Sequence, residues 1–83
     1  MKETDALQRK FLLKLGKRIR EIRLKKGLSQ SEVANRCGKE RQSYQRVETG
    51  NINPTVWYLN HIAAALGVEV KDLLDADFPK LKL

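Results

Sequence analysis

Glycines at positions 27, 38, 50 and 67 each close a segment whose apolar residues recur at helical spacing, and this punctuation leaves little choice of fold. A glycine just past a helix end readily takes the left-handed turn that stops it. Between these stops no run of alternating β-branched residues reads as a strand. The chain is therefore expected to be all-α, a set of short amphipathic helices in one 83-residue unit. A core of that size is near the lower limit of self-sufficiency, so tight packing or dimerisation would help hold it.

Five helices follow from the pattern. The first is placed over residues 5–26, where Leu7, Phe11, Leu15, Ile19 and Ile22 form one stripe and Lys25 and Lys26 suit the last turn. Gly16 interrupts this stripe at a cost of about 1 kcal/mol relative to Ala. A bend or a fresh start is expected there, dividing the chain into a helical extension (1–14), a folded unit (15–75) and a tail (76–83). Helix 2 opens at Ser29 with Glu32 three residues on, a capping box, and turns Val33, Ala34 and Cys37 inward. Helix 3 covers Arg41 to Thr49 with Tyr44 and Val47 inward. After the turn-rich Asn51-Ile52-Asn53-Pro54, Thr55 caps helix 4, whose inner residues are Leu59, Ile62, Ala63 and Leu66. A short helix 5 over Val70–Asp75 contributes Leu73 and Leu74. The strip from Phe78 to Leu83, with Pro79, has no period.

Charge is uneven. The chain carries 17 Lys/Arg against 10 Asp/Glu, and residues 9–50 hold 13 of those cations against only Glu21, Glu32, Glu40 and Glu48. A basic first half and a near-neutral second half suit a polyanion on one face. Cys37 and His61 are single representatives of their types, so neither an internal disulfide nor a zinc site is available, and no cofactor or metal is expected. Cys37 reads as a small core residue and His61 as a surface or packing residue. No apolar run resembles a secretory leader or reaches transmembrane length, so a cytoplasmic protein with no membrane partner is expected.

From Gln30 to Thr49 two short amphipathic helices are joined around Gly38. The small Ala34 permits a close crossing, and Val33, Cys37, Tyr44 and Val47 bury the joint. This unit places its second helix in a DNA major groove. Here the sequence resembles the phage repressor and Cro (XRE) family of helix-turn-helix proteins. The resemblance runs from about Leu15 to Leu74. It is carried by Ile19-Arg20-Glu21-Ile22-Arg23, Gly27-Leu28-Ser29-Gln30-Ser31-Glu32-Val33-Ala34 and Gly38. It continues through Val47-Glu48-Thr49-Gly50, Asn53-Pro54-Thr55, and Leu59 to Gly67 with Ile62-Ala63-Ala64-Ala65-Leu66.

The resemblance implies a five-helix, lambda-repressor-like DNA-binding domain with the helix-turn-helix at helices 2 and 3. It implies that Arg41, Gln42 and Arg46 face base edges. An Arg fork matches guanine O6 and N7, Gln can pair with adenine, and each good pair discriminates by about 1–3 kcal/mol. Gln30, Ser43, Thr55 at the start of helix 4, and Lys39 are implied phosphate contacts. Arg23 and Glu48 match a family salt bridge joining helix 1 to the end of helix 3. Two residues depart from the pattern: Glu40, where a Ser or Thr is usual, and Tyr44, where an aliphatic residue is usual. The Tyr44 hydroxyl either emerges beside the DNA backbone or needs a buried partner.

Trp57 and Tyr58 are candidate dimer-interface residues. The expected protein is a sequence-specific regulator of transcription, a dimeric repressor on a palindromic operator with no small-molecule effector. A restriction–modification controller and an antitoxin-type autorepressor are alternatives within that function. A protein-interaction module that does not read DNA is a rival from another class, and Arg41, Gln42, Gln45 and Arg46 count against it. An enzyme is not expected, because the sequence offers no nucleophile–base pair, carboxylate dyad or metal cluster.

Overall fold

Helix α1 spans Glu3–Lys25 without a break at Gly16. In the computed structural model, which describes residues 3–83, it is followed by α2 (Gln30–Arg36), α3 (Arg41–Glu48), α4 (Val56–Leu66) and α5 (Val70–Leu73). No strand occurs among the described residues. The first two residues of the 1–14 extension lie outside them.

Gly16 is a contact, and neither a bend nor a start. A Cβ at this position would stand 2.3 Å from the Glu48 carbonyl oxygen and 2.5 Å from that of Val47. The helix backbone therefore lies directly on the end of α3, and only a residue without a side chain admits that approach. Gly50 repeats the device on the other side. Its φ is +72°, and a Cβ there would meet the Leu13 backbone at 2.9 Å. Arg9 closes this edge by donating from Nη1 to the Gly50 carbonyl at 2.6 Å and to Asn51 Oδ1 at 3.0 Å.

Leu15, Ile19 and Ile22 of α1 enter the core with Val33, Ala34 and Cys37 of α2 and Tyr44 and Val47 of α3. Leu59, Ile62, Ala63, Ala65 and Leu66 of α4 and Leu73 of α5 complete it. Two arginines tie the helices across this core by donating to helix-end carbonyls. Arg18 Nε meets the Asp72 oxygen at 3.0 Å, and Arg36 Nη1 meets that of Ala65 at 2.8 Å.

The stripe expected on α1 divides at Leu15. Leu7 is half-buried, and Phe11 lies at the surface, where its ring stacks on Phe78 at 4.4 Å between centroids. The tail thus packs back onto the N-terminal turns of α1. Helix 5 stops two residues earlier than expected, so Leu74 falls past its end and remains 43% exposed while Leu73 is fully buried.

Candidate nucleic-acid interface

The Ser29 cap sets the start of α2. Its Oγ accepts from the Glu32 N–H at 3.0 Å, and the Ser29 N–H donates back to Glu32 Oε1 at 3.0 Å. These bonds hold the exposed Glu32 carboxyl below its usual range. At the other end Gly38, with φ +65°, turns the chain toward α3. Glu40 takes the extended backbone of an N-cap, but its side chain makes no capping bond, so its carboxylate stays exposed beside the first turn of α3.

Two inward residues and a hub then fix α3. Tyr44, Val47 and Glu48 are buried, whereas Arg41, Gln42, Ser43 and Arg46 are exposed and Gln45 is half-buried. Arg23 grips the Glu48 carboxylate with two donors, Nε to Oε2 at 2.6 Å and Nη2 to Oε1 at 3.0 Å. Its Nη1 also donates to the Leu28 carbonyl at 2.9 Å. Gln30 Nε2 reaches Oε1 at 3.1 Å, and the Tyr44 hydroxyl donates to Oε2. One carboxylate thus joins α1, the start of α2 and α3.

The electrostatics follow from this geometry. Burial pushes the Glu48 carboxyl up, but the hydrogen bonds from Arg23, Tyr44 and Gln30 outweigh it and hold the group below the usual range. The bond to Glu48 raises the Arg23 pKa against the opposing effect of burial. Burial first, and the bond to Glu48 second, push the Tyr44 phenol far above its ordinary value. Tyr44 therefore stays a neutral donor within the fold.

Of the expected phosphate contacts, Lys39, Ser43 and Thr55 are exposed. They border an open basin of about 550 Å³ between the α2–α3 turn and the first turn of α4. Thr55 Oγ1 accepts from the Tyr58 N–H at 3.0 Å and caps that helix. Lys39 Nζ sits over the Tyr58 ring at 5.3 Å from its centroid, a cation–π contact. Gln30 is half-buried and directs its amide to Glu48. Trp57 and Tyr58 part ways: Trp57 is 69% exposed with His61 at its edge, 5.2 Å between centroids, while Tyr58 folds under Lys39 with its hydroxyl buried. Burial raises the pKa of Tyr58 and of the Cys37 thiol.

Sequence reasoning missed Gln30 and Tyr44 as partners of Glu48, and it missed the basin. Tyr44 had a signal, since residues four apart share a helix face. Gln30 had none, because its bond crosses 18 residues. Among the described residues, no group of three or more His, Cys, Asp or Glu side chains is placed to hold a metal ion, and no helix is long and apolar enough to cross a membrane.

A family profile described as a helix-turn-helix domain matches residues 14–76. The control protein C.BamHI of Bacillus amyloliquefaciens is 39% identical over 64 residues, 76% of this chain and 79% of that protein. The HTH-type transcriptional regulator SinR of Bacillus subtilis is 36% identical over 62 residues, 74% of this chain and 56% of SinR. Among solved structures, the restriction–modification controller C.AhdI from Aeromonas hydrophila superposes with a TM-score of 0.73 at 39% identity, covering 75% of this chain and 94% of that one. The chain belongs to the helix-turn-helix domain family, as its resemblance to the repressor and Cro (XRE) type implies.

Proposed function

We propose that this protein is a cytoplasmic, non-enzymatic regulator of transcription that binds duplex DNA sequence-specifically through α3, as a homodimer on a twofold-symmetric operator. One observation carries the reading. Tyr44, Val47 and Glu48 lock one face of α3 into the fold, and the opposite face offers Arg41, Gln42, Ser43 and Arg46 to solvent. Arg41, Gln42 and Arg46 are assigned to base edges, and Lys39, Ser43 and Thr55 to phosphates. Gln30 joins the phosphate set through the part of its amide not engaged by Glu48. The Arg23–Glu48 pair is assigned to holding α3 at its angle.

The DNA-binding unit is taken as residues 15–75, flanked by the two terminal segments that meet at Phe11 and Phe78. In a dimer the two α3 helices would lie about one helical turn of DNA, roughly 34 Å, apart. Bound dimer would act by blocking or contacting polymerase.

Gel retardation of mixed-sequence duplexes at two salt concentrations tests the reading. Binding should be tight at low salt and fall steeply as salt rises, because each neutralised phosphate releases counterions. Absence of retardation even at low salt would contradict it. A narrower reading, the controller of a restriction–modification operon, is favoured by the likeness to C.BamHI and C.AhdI. Adjacent genes for a restriction endonuclease and its methyltransferase would support it, and their absence would count against it.

A further inference from the structure

We propose that Arg9 is a positioning residue for DNA readout: from the N-terminal turns of α1 it holds the last turn of α3, and with it the direction of Arg46, through Asn51 and Thr49. The inference rests on the duplex-binding reading and adds to it a residue that lies outside the 14–76 stretch matching the family profile.

A directed chain of hydrogen bonds carries the inference. Arg9 Nη1 donates to Asn51 Oδ1 at 3.0 Å, and Asn51 Nδ2 donates to Thr49 Oγ1 at 2.9 Å. The Thr49 hydroxyl has one proton, shared between the carbonyls of Gln45 at 3.1 Å and Arg46 at 3.3 Å. The Asn51 N–H adds a second bond to the Arg46 carbonyl at 2.8 Å. Because a guanidinium only donates, Arg9 fixes which way the Asn51 amide faces, and every later bond in the chain points toward α3. Bonds aligned in this way polarise and strengthen one another.

The register of Arg9 is set by packing. Leu13 lies one turn further along the same face of α1, and its backbone passes so close to Gly50 that a Cβ there would stand 2.9 Å away. Arg9 is thereby brought to the Gly50 carbonyl, which Nη1 also meets at 2.6 Å. Between Leu13 and Arg9, the Phe11 ring stacks on Phe78 of the tail and steadies these turns. The Glu48 hub and the Gly16 contact hold α3 from the opposite side. Without the Arg9 chain, the loop leaving α3 keeps its backbone bonds but loses its tie to α1. Arg46, in the last turn of α3, is exposed and takes its direction from that turn, whereas Arg41 at the other end of the helix is remote from the chain.

Sites selected from a random duplex library by the parent, Arg41→Ala and Arg46→Ala identify the base pair that each arginine reads. Arg9→Met keeps the apolar stem and removes the donor. Assayed well below its thermal midpoint, it should lower discrimination at the Arg46 base pair about fivefold, the worth of one ordinary hydrogen bond. Discrimination at the Arg41 base pair and the dependence of affinity on salt should stay as in the parent. Asn51→Ala should have the same effect, and the double variant no greater one, since both cut a single chain. Unaltered discrimination in Arg9→Met, with or without a lower thermal midpoint, would overturn the inference and leave the DNA-binding reading standing. So would uniform weakening on all sequences with the salt slope reduced by about one, the mark of a direct phosphate contact. An Arg46→Ala protein that selects the parent's site would also overturn it, since there would be no base contact to position. If the parent selects no sequence, the reading falls first and the inference with it.

Discussion

Gly16→Ala separates two physical arguments that disagree in sign. Helix propensity alone favours Ala at an interior helix position by about 1 kcal/mol. The packing argues the other way, since the added methyl would stand 2.3 Å from the Glu48 carbonyl oxygen and 2.5 Å from that of Val47. Both neighbours are backbone, so relief requires α1 and α3 to part. Overpacking of this kind costs typically 1–3 kcal/mol, and a clash with main chain belongs at the upper end. Parting also strains the Arg23 fork on Glu48, whose Nε–Oε2 distance is 2.6 Å. Subtracting the propensity gain leaves a net loss of about 2 kcal/mol. In a domain of this size that lowers the thermal midpoint by about 8–16 °C. Urea denaturation followed by far-UV circular dichroism measures it, together with a thermal scan. A Gly16→Ala protein as stable as the parent, or more so, would refute the close-approach argument.

Two further perturbations act on the Glu48 hub. Tyr44→Phe keeps the ring and removes the donor to the carboxylate, so stability should fall by about 1.5–3 kcal/mol while base preference is unchanged; an unaltered urea midpoint would count against it. The Glu48 carboxyl is held below its unfolded value, so its contribution is present above the unfolded carboxylate range and disappears as pH falls through the lower folded value. Stability should therefore decline on acidification below about pH 4, and Glu48→Gln, less stable at neutral pH, should show a shallower acid decline. Parallel acid profiles for the two proteins would contradict that assignment.

Local signals in the sequence account for most of the fold. Ser29 with Glu32 and the four helix-ending glycines act within a few residues, and the structure shows the same bonds and turns. The Arg23–Glu48 pair, 25 residues apart, was legible only through the family resemblance. Gly16 was misread because its reason lies 32 positions away at the Glu48 carbonyl, and a helix pattern cannot report a neighbour brought close by tertiary packing. Leu74 was misplaced by the same local reasoning, which extended α5 past the point where the chain turns. On α3, periodicity separated the anchored face from the exposed one. The partition of basic residues was less legible: Arg9, Arg18, Arg23 and Arg36 count toward the local excess, yet each donates to a protein oxygen. Lys39, Arg41 and Arg46 are the cations that remain beside the exposed face of α3.

Selection of bound sites from a random duplex library, run in parallel on the parent and on Arg41→Ala, tests the central claim that the exposed face of α3 reads DNA. The account predicts two inverted half-sites about one helical turn apart from the parent, and relaxed preference at one base pair per half-site from the variant, worth about 1–3 kcal/mol. No enriched sequence from the parent, or an identical motif from both proteins, would contradict it.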